Sequence, residues 1–239
     1  MTTPPEDPKE PHVKRRKLLT FAGLGSLLAL AGGLAYKHFS ATSQIKVESF
    51  LTPGSGRKKN ILVLTGSGRR RGNSDLLAWA FVKGARAASH EVNVFHTGRE
   101  PMQACMHCGG CWTHGKPCVI EDSFDKLFPW LEQAELLFFC SPLYWYNFSG
   151  NIKCAMDRMY PYSQKNRLRD MPVSETMLLM CGQSHFLRSF AGPAEAYRQM
   201  LGYKHWQDRG RLFVTGVDEY GAMAKDKALA TAEEMGRLA

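Results

Sequence analysis

Asn60-Ile61-Leu62-Val63-Leu64-Thr65-Gly66-Ser67-Gly68-Arg69-Arg70-Arg71-Gly72-Asn73-Ser74 decides how this chain is read. Residues 60–64 are an apolar run of the kind found in a strand covered on both faces. Beyond the loop, Leu76-Leu77-Ala78-Trp79-Ala80-Phe81-Val82 carries a helical pattern. A strand, a Gly/Ser/Arg loop and a helix start together make an anion site. The first N–H groups of a helix have no partner within it, and the helix dipole adds partial positive charge there. Ser67, Asn73 and Ser74 add short polar side chains, and Arg69 can add a forked cation. The combination suits a phosphate monoester.

The spacing excludes two common nucleotide loops. No Lys follows Gly72, so the G-x-x-x-x-G-K-[ST] pattern of ATP-hydrolysing loops is missing. Gly66, Gly68 and Gly72 read G-x-G-x-x-x-G, one residue too long for the dinucleotide fingerprint. A glycine-rich turn with solvated arginines is the plainer alternative. Three adjacent arginines repel one another, which favours an anionic ligand.

Working outward, strand and helix signals alternate. Strands are expected at 60–64, 92–96, 135–140, 176–181 and 211–217, and helices at 74–88, 122–133, 151–160, 193–201 and 226–238. Asp122 or Ser123 is the expected cap of the second helix. The pattern predicts an α/β domain over 60–239: a five-stranded parallel sheet with helices on both faces. Ligands of such sheets sit beyond the strand C-termini, near the switch in strand order. The polar loop at 65–74, the segment 141–147 and the segment 182–185 all follow strands there.

Ser141-Pro142-Leu143-Tyr144-Trp145-Tyr146-Asn147-Phe148 places four aromatics in five residues after the third strand. They offer a flat wall for a planar heteroaromatic ring, or else a packed core or dimer contact. A phosphate at one end and a flat ring at the other describe a mononucleotide, and FMN fits best.

At this point the chain resembles the NAD(P)H-dependent FMN reductases and iron–sulfur flavoproteins of the flavodoxin-like superfamily. The likeness covers most of 60–239. It rests on Gly66-Ser67-x-Arg69-x-x-Gly72-Asn73-Ser74, Cys105-x-x-Cys108-x-x-Cys111 followed by Cys118-Val119-Ile120-Glu121-Asp122, and Ser141-Pro142-Leu143-Tyr144-Trp145. Ser149-Gly150-x-x-Lys153-x-x-x-Asp157-Arg158 and a closing Gly216-Val217 … Ala232-x-x-x-Gly236 complete it. The resemblance implies a flavodoxin-like fold, a homodimer, and FMN at the strand C-termini. It implies phosphate binding by Ser67, Arg69, Asn73 and Ser74, with Gly72 in the same loop. Pro142, Leu143, Tyr144 and Trp145 would hold the isoalloxazine, and Gly182, Gln183 and Ser184 would close its other side. Asp157-Arg158 reads as structural or as part of a dimer seam.

Cys105, Cys108, Cys111 and Cys118 follow the compact C-x2-C-x2-C spacing that holds [4Fe–4S] clusters. Zinc prefers two separated pairs, so it fits less well. The iron–sulfur branch of the family has this motif. Many relatives keep several of the cysteines without a cluster, often with an aromatic where Trp112 stands here. Free thiols or a disulfide therefore stay open beside the cluster. His107 and His114 are loop histidines that a metal could use or solvent could claim, and Cys140, Cys154 and Cys181 read as core.

The working activity is a flavin oxidoreductase that passes electrons from NAD(P)H or another donor to a quinone or other acceptor. Hydride transfer needs no acid or base; Tyr144 and His185 are the candidates if one is used. A flavodoxin-like electron carrier is the alternative. The net charge of +9 raises nucleic acid as a partner, but outside the tail the cations are scattered and form no stripe.

The N-terminus stands apart. Residues 1–17 form a Pro-rich, acidic and then basic region that reads as disordered. Residues 18–37 begin with an uncharged stretch, and Arg15-Arg16-Lys17-Leu18-Leu19 looks like the core of a twin-arginine export signal. A simple membrane anchor is the alternative. Either places the domain across the cytoplasmic membrane, where a quinol or protein donor would suit better than NAD(P)H. Residues 38–59 read as an unpacked linker.

Overall fold

The computed structural model describes residues 47–52, 54–163, 169–225 and 227–239. The expected export signal or anchor at 1–37, and the first part of the linker, lie outside them. Among the described residues no helix is long and apolar enough to cross a membrane.

Six strands form one sheet: β1 (Val47–Leu51), β2 (Asn60–Thr65), β3 (Glu91–His96), β4 (Leu136–Pro142), β5 (Glu175–Cys181) and β6 (Gln207–Val214). Their order is β1-β6-β5-β4-β2-β3. The five strands from β2 to β6 are parallel, in flavodoxin-like order. Among the described residues five α-helices accompany them: α1 (Asn73–Ala87), α2 (Phe124–Leu131), α3 (Gly150–Asp157), α4 (Ala191–Lys204) and α5 (Ala228–Arg237).

β1 corrects the reading of 38–59 as an unpacked linker. It pairs antiparallel with β6, Val47 opposite Val214 and Leu51 opposite Gly210. Without it β6 would present a bare edge of unpaired backbone groups. The segment after β1 is fastened too: the Arg209 guanidinium donates to the Thr52 carbonyl at 2.6 Å, and the Gly54 N–H donates to the Leu238 carbonyl at 2.9 Å. Five residues in Ser/Thr/Pro/Gly-rich surroundings gave no sequence signal strong enough to mark a strand. β6 also begins four residues before the expected 211, because its opening residues Gln207, Asp208 and Arg209 are polar. Arg209 is nonetheless buried, paired with Glu175 at 3.0 Å.

Alternate residues of each central strand feed two cores. Leu62, Leu64, Leu137, Phe139, Leu178 and Met180 face α2, α3 and α4. Ile61, Val63, Leu136, Phe138, Met177 and Leu179 face α1 and α5. Both faces being apolar explains the unbroken apolar runs. α1 and α5 pack so closely that a Cβ on Gly84 would lie 1.8 Å from the Glu233 carbonyl oxygen, and one on Gly236 2.0 Å from that of Phe81. The chain passes from β2 to β3 on one side and then crosses back to β4 on the other side of β2. The strand order therefore reverses at β2, and a crevice opens above β2 and β4.

Candidate cofactor site

The loop after β2 is built to present donors. Gly72 stands at the N-cap of α1 in extended conformation, with φ −68° and ψ 168°. The Arg69 N–H donates to the Ser67 hydroxyl at 3.1 Å, and the Gly72 N–H to the Arg69 carbonyl at 3.2 Å. Ser67 and Ser74 are buried. Among the described residues the Ser74 hydroxyl has no hydrogen-bond partner and the Arg69 guanidinium has no carboxylate. A cation and a hydroxyl without partners beside a helix N-terminus are a donor set that fits a phosphate.

The loop is pinned from beneath. Arg71 holds the left-handed region at φ 57°, and its N–H donates to the Asp75 carboxylate at 2.9 Å. Asp75 is 2% exposed and takes Arg99 as its ion-pair partner at 3.3 Å. Burial, and then the Arg99 cation, hold His96 below its ordinary imidazole range, so it is neutral at pH 7. Its ring meets the Thr65 hydroxyl at 2.8 Å. Sequence reasoning missed this support, although an acid in the first turn of α1 was there to be seen.

Across the crevice β4 ends at Pro142, and the Leu143 N–H donates to the Cys181 carbonyl at 2.8 Å. Tyr144 and Asn147 then exchange backbone hydrogen bonds of 3.0 and 2.9 Å around a two-residue turn. Trp145 and Tyr146 occupy its centre with φ of 47° and 59°. After β5, Gly182 lies so close to Leu143 that a Cβ there would come within 2.8 Å of the Leu143 Cβ.

A third wall, from the loop after β6, was not expected. Gln183 Nε2 donates to the Asp218 carboxylate at 2.9 Å, and the Tyr220 hydroxyl donates to the Arg70 carbonyl at 2.7 Å. Asn73 binds this loop while bordering the crevice. Its Nδ2 donates to the Glu219 carbonyl at 2.8 Å, and its Oδ1 accepts from the Met223 N–H at 3.2 Å. Left-handed Gly216 and Gly221 were the available sequence signal for the loop's shape.

Together these walls enclose a cavity of about 270 Å³. Ser67, Arg69, Gly72, Asn73, Ser74, Pro142, Leu143, Tyr144, Gly182 and Gln183 all border it, joined by Cys181, Val217, Asp218 and Tyr220. Trp145 does not; it is 95% exposed and, with Ser184 and His185, borders an adjoining cavity of about 840 Å³. Leu143 and Gln183 belong to both. Of the two acid/base candidates, Tyr144 thus lies on the inner cavity and His185 on the outer one. Ser67, Arg69 and Ser74 share this one lining with Pro142, Leu143 and Tyr144, a donor set and an apolar, aromatic wall that fit FMN.

The seven cysteines are all unpaired. Cys105, Cys108, Cys111 and Cys118 border a separate cavity of about 20 Å³ with Arg158. Burial pushes the Cys111 thiol up, and the neighbouring Cys118, Cys105 and Cys108 add to it. Among the described residues no three Cys, His, Asp or Glu side chains are arranged to hold a metal ion. The ring of His107 lies 5.6 Å from that of Tyr160. Cys140 and Cys181 are buried, with burial raising both thiols, Cys181 to about 12. Cys154 is half-buried rather than core. Arg158 is wholly buried, at 2.5 Å from Asp122, while Asp157 stays outside on Lys153, also at 2.5 Å.

The parallel sheet and its crevice at the switch point are those of a flavodoxin-like α/β protein. Within that class, the family model for NADPH-dependent FMN reductase matches residues 59–229, and the chain belongs to this family. An iron–sulfur flavoprotein of Archaeoglobus fulgidus is 30% identical over 106 residues, 44% of this chain and 48% of the relative. One from Methanosarcina thermophila is 25% identical over 103 residues, 43% of this chain and 53% of the relative. The chain thus spans about half the length of these curated relatives. Among solved structures, the NAD(P)H:quinone oxidoreductase from Methanothermobacter marburgensis shares the fold. Its TM-score is 0.61 at 18% identity, over 76% of this chain and 96% of that one.

Proposed function

We propose that the protein is an FMN-dependent oxidoreductase that passes electrons from NAD(P)H to a quinone or another small acceptor. The observation that carries this reading is the 270 Å³ cavity at the switch point, bordered by the Arg69 loop and by Pro142, Leu143 and Tyr144. Family membership supports it. FMN, when bound, would supply hydride and electron transfer. The chain's own residues bind and orient: Arg69 offsets the charge of the phosphate and Ser74 donates a hydrogen bond to it, Pro142 to Tyr144 flank the ring, and the Asn73-anchored loop excludes water. Purified protein should take up FMN and then oxidise NAD(P)H steadily with a quinone. FMN uptake without turnover would favour an electron carrier, and no uptake would overturn both.

Two finer elements accompany the proposal. The four loop cysteines bordering one cavity, and the likeness to iron–sulfur flavoproteins, support a [4Fe–4S] site at Cys105, Cys108, Cys111 and Cys118. The free thiols would have to close around it, and iron and sulfide quantification on anaerobic protein tests it. The twin-arginine-like segment at 15–19 supports export or anchoring, which cell fractionation tests, and the family resemblance supports a homodimer, which sedimentation tests.

A further inference from the structure

Beside the candidate flavin cavity lies the open cavity of about 840 Å³ that shares Leu143 and Gln183 with it. Its walls hold three exposed aromatics: Trp145 at 95%, Tyr146 at 65% and Phe186 at 44% exposure. Solvent-facing aromatic surface on this scale marks a site of contact. The turn that carries two of them is held under strain. Left-handed backbone at both central positions suits Asn-Gly, yet Trp and Tyr stand there. It is also seated firmly, since a Cβ on Gly192 at the start of α4 would lie 2.8 Å from the Tyr146 carbonyl oxygen. Bulky aromatics kept at strained, exposed positions contribute nothing to the core, so their use lies in what they touch.

The charge of the cavity is one-sided. Arg188 borders it, its guanidinium carbon 4.5 Å from the centre of the Phe186 ring. Among the described residues Arg188 has no ion-pair partner, and no acid borders this cavity. Ser184 and Ser189 hydrogen-bond each other at 2.6 Å, which leaves Arg188 as the one permanent cation on the lining, beside the imidazole of His185. A flat ring between the Trp145–Tyr146 turn and Phe186, with one anionic group on Arg188, uses the aromatic walls and the cation together. A dinucleotide's pyrophosphate would ask for more than one such cation.

We propose that this cavity receives the electron acceptor, and that the acceptor is a planar aromatic compound carrying a carboxylate or sulfonate, selected by Arg188. The proposal rests on the FMN-dependent reading for its redox part: NAD(P)H, a proton and an aromatic quinone become NAD(P)+ and the hydroquinone. Nicotinamide nucleotides share the ring-and-anion chemistry, so the test separates them.

Naphthalene-2-sulfonate and its neutral sulfonamide would be titrated calorimetrically into FMN-free and FMN-loaded protein. The sulfonate should bind about tenfold more tightly, as expected for one charge-assisted contact, and Arg188→Gln should bring the two together. With loaded enzyme, KM for 1,4-naphthoquinone-2-sulfonate should rise about tenfold in Arg188→Gln at unchanged kcat. KM for 1,4-naphthoquinone, and KM for NADPH measured with it, should not move. Equal binding of the two probes, an unchanged R188Q, or a rise in the NADPH KM would overturn the proposal. So would absent binding, including where sedimentation shows a dimer covering the aromatics. Failure to take up FMN is read separately from absorbance, and it sinks the flavin reading while leaving the calorimetry to judge the anion site.

Discussion

Replacing Arg158 by Met removes the fastener of the cysteine loop. The Arg158 side chain is 0% exposed and its Asp122 partner 10%. One guanidinium nitrogen reaches the Asp122 oxygens at 2.5 and 2.7 Å, the other the Ile120 carbonyl at 2.9 Å, and the guanidinium carbon sits 4.5 Å over the Phe124 ring. A weaker bond to the Gln103 carbonyl at 3.4 Å ties the other end of the loop. Met would leave the Asp122 carboxylate with only the N–H groups of Gln103 and Phe124, at 2.8 and 2.9 Å. Breaking a buried pair by removing one partner costs about 3–5 kcal/mol, and the slight exposure of Asp122 places this case near the lower end. At roughly 2–4 °C per kcal/mol for a domain of this size, Arg158→Met should lower Tm by roughly 6–12 °C. Thermal and urea denaturation of Arg158→Met, Asp122→Asn and the double variant would measure it, together with the rate at which a thiol reagent modifies Cys111 and Cys118. The double variant should lose much less than the two singles combined, and the thiols should react faster once the loop ends are freed. A loss below about 1 kcal/mol, or strictly additive singles, would refute the reasoning.

Acidity gives a second check. Burial alone would raise the Asp122 carboxyl, but the Gln103 and Phe124 N–H groups and Arg158 outweigh it and hold it below its usual range. Its contribution is therefore complete above the unfolded carboxylate value of about 4, and is lost as pH falls through the lower folded value; Asp122→Asn should flatten that acid limb of a stability–pH curve. His96 is lowered by burial first, and then by Arg99, so the folded state resists its protonation. Stability should decline as pH falls below about 6.5, and His96→Gln should reduce the decline in denaturation midpoints. Asn73→Ala frees the loop at Glu219 and Met223 and should weaken FMN binding about tenfold, with the fold's melting temperature nearly unchanged.

The strands buried on both faces were legible because parallel sheets demand apolar residues at every position: Leu136 to Phe139 could be little else. β1 was hidden because an edge strand needs only its backbone to pair, and V-E-S-F-L in a linker-like context advertises none of that. The Arg69 loop and the Pro142 turn were legible because donors and rings cluster in sequence as they do in space. The wall at Val217, Asp218 and Tyr220 was not, since it enters from almost 150 residues away through hydrogen bonds to Asn73 and Arg70. Asn73, expected at the phosphate, borders the cavity and also anchors the loop after β6, a second role that an amide side chain at a helix start does not announce. Trp145 sat one residue too far along. A two-residue turn reverses direction at its centre, and this one throws the indole out of the inner cavity into the outer one.

Comparing FMN with riboflavin tests the core of the account, because the two ligands share a ring and differ only by the phosphate assigned to the Arg69 loop. Fluorescence titration of flavin-free protein should give one site that binds FMN at least a hundredfold more tightly than riboflavin, with most of that ratio lost in Arg69→Ala. Equal affinities, a ratio untouched by Arg69→Ala, or no flavin binding at all would contradict it.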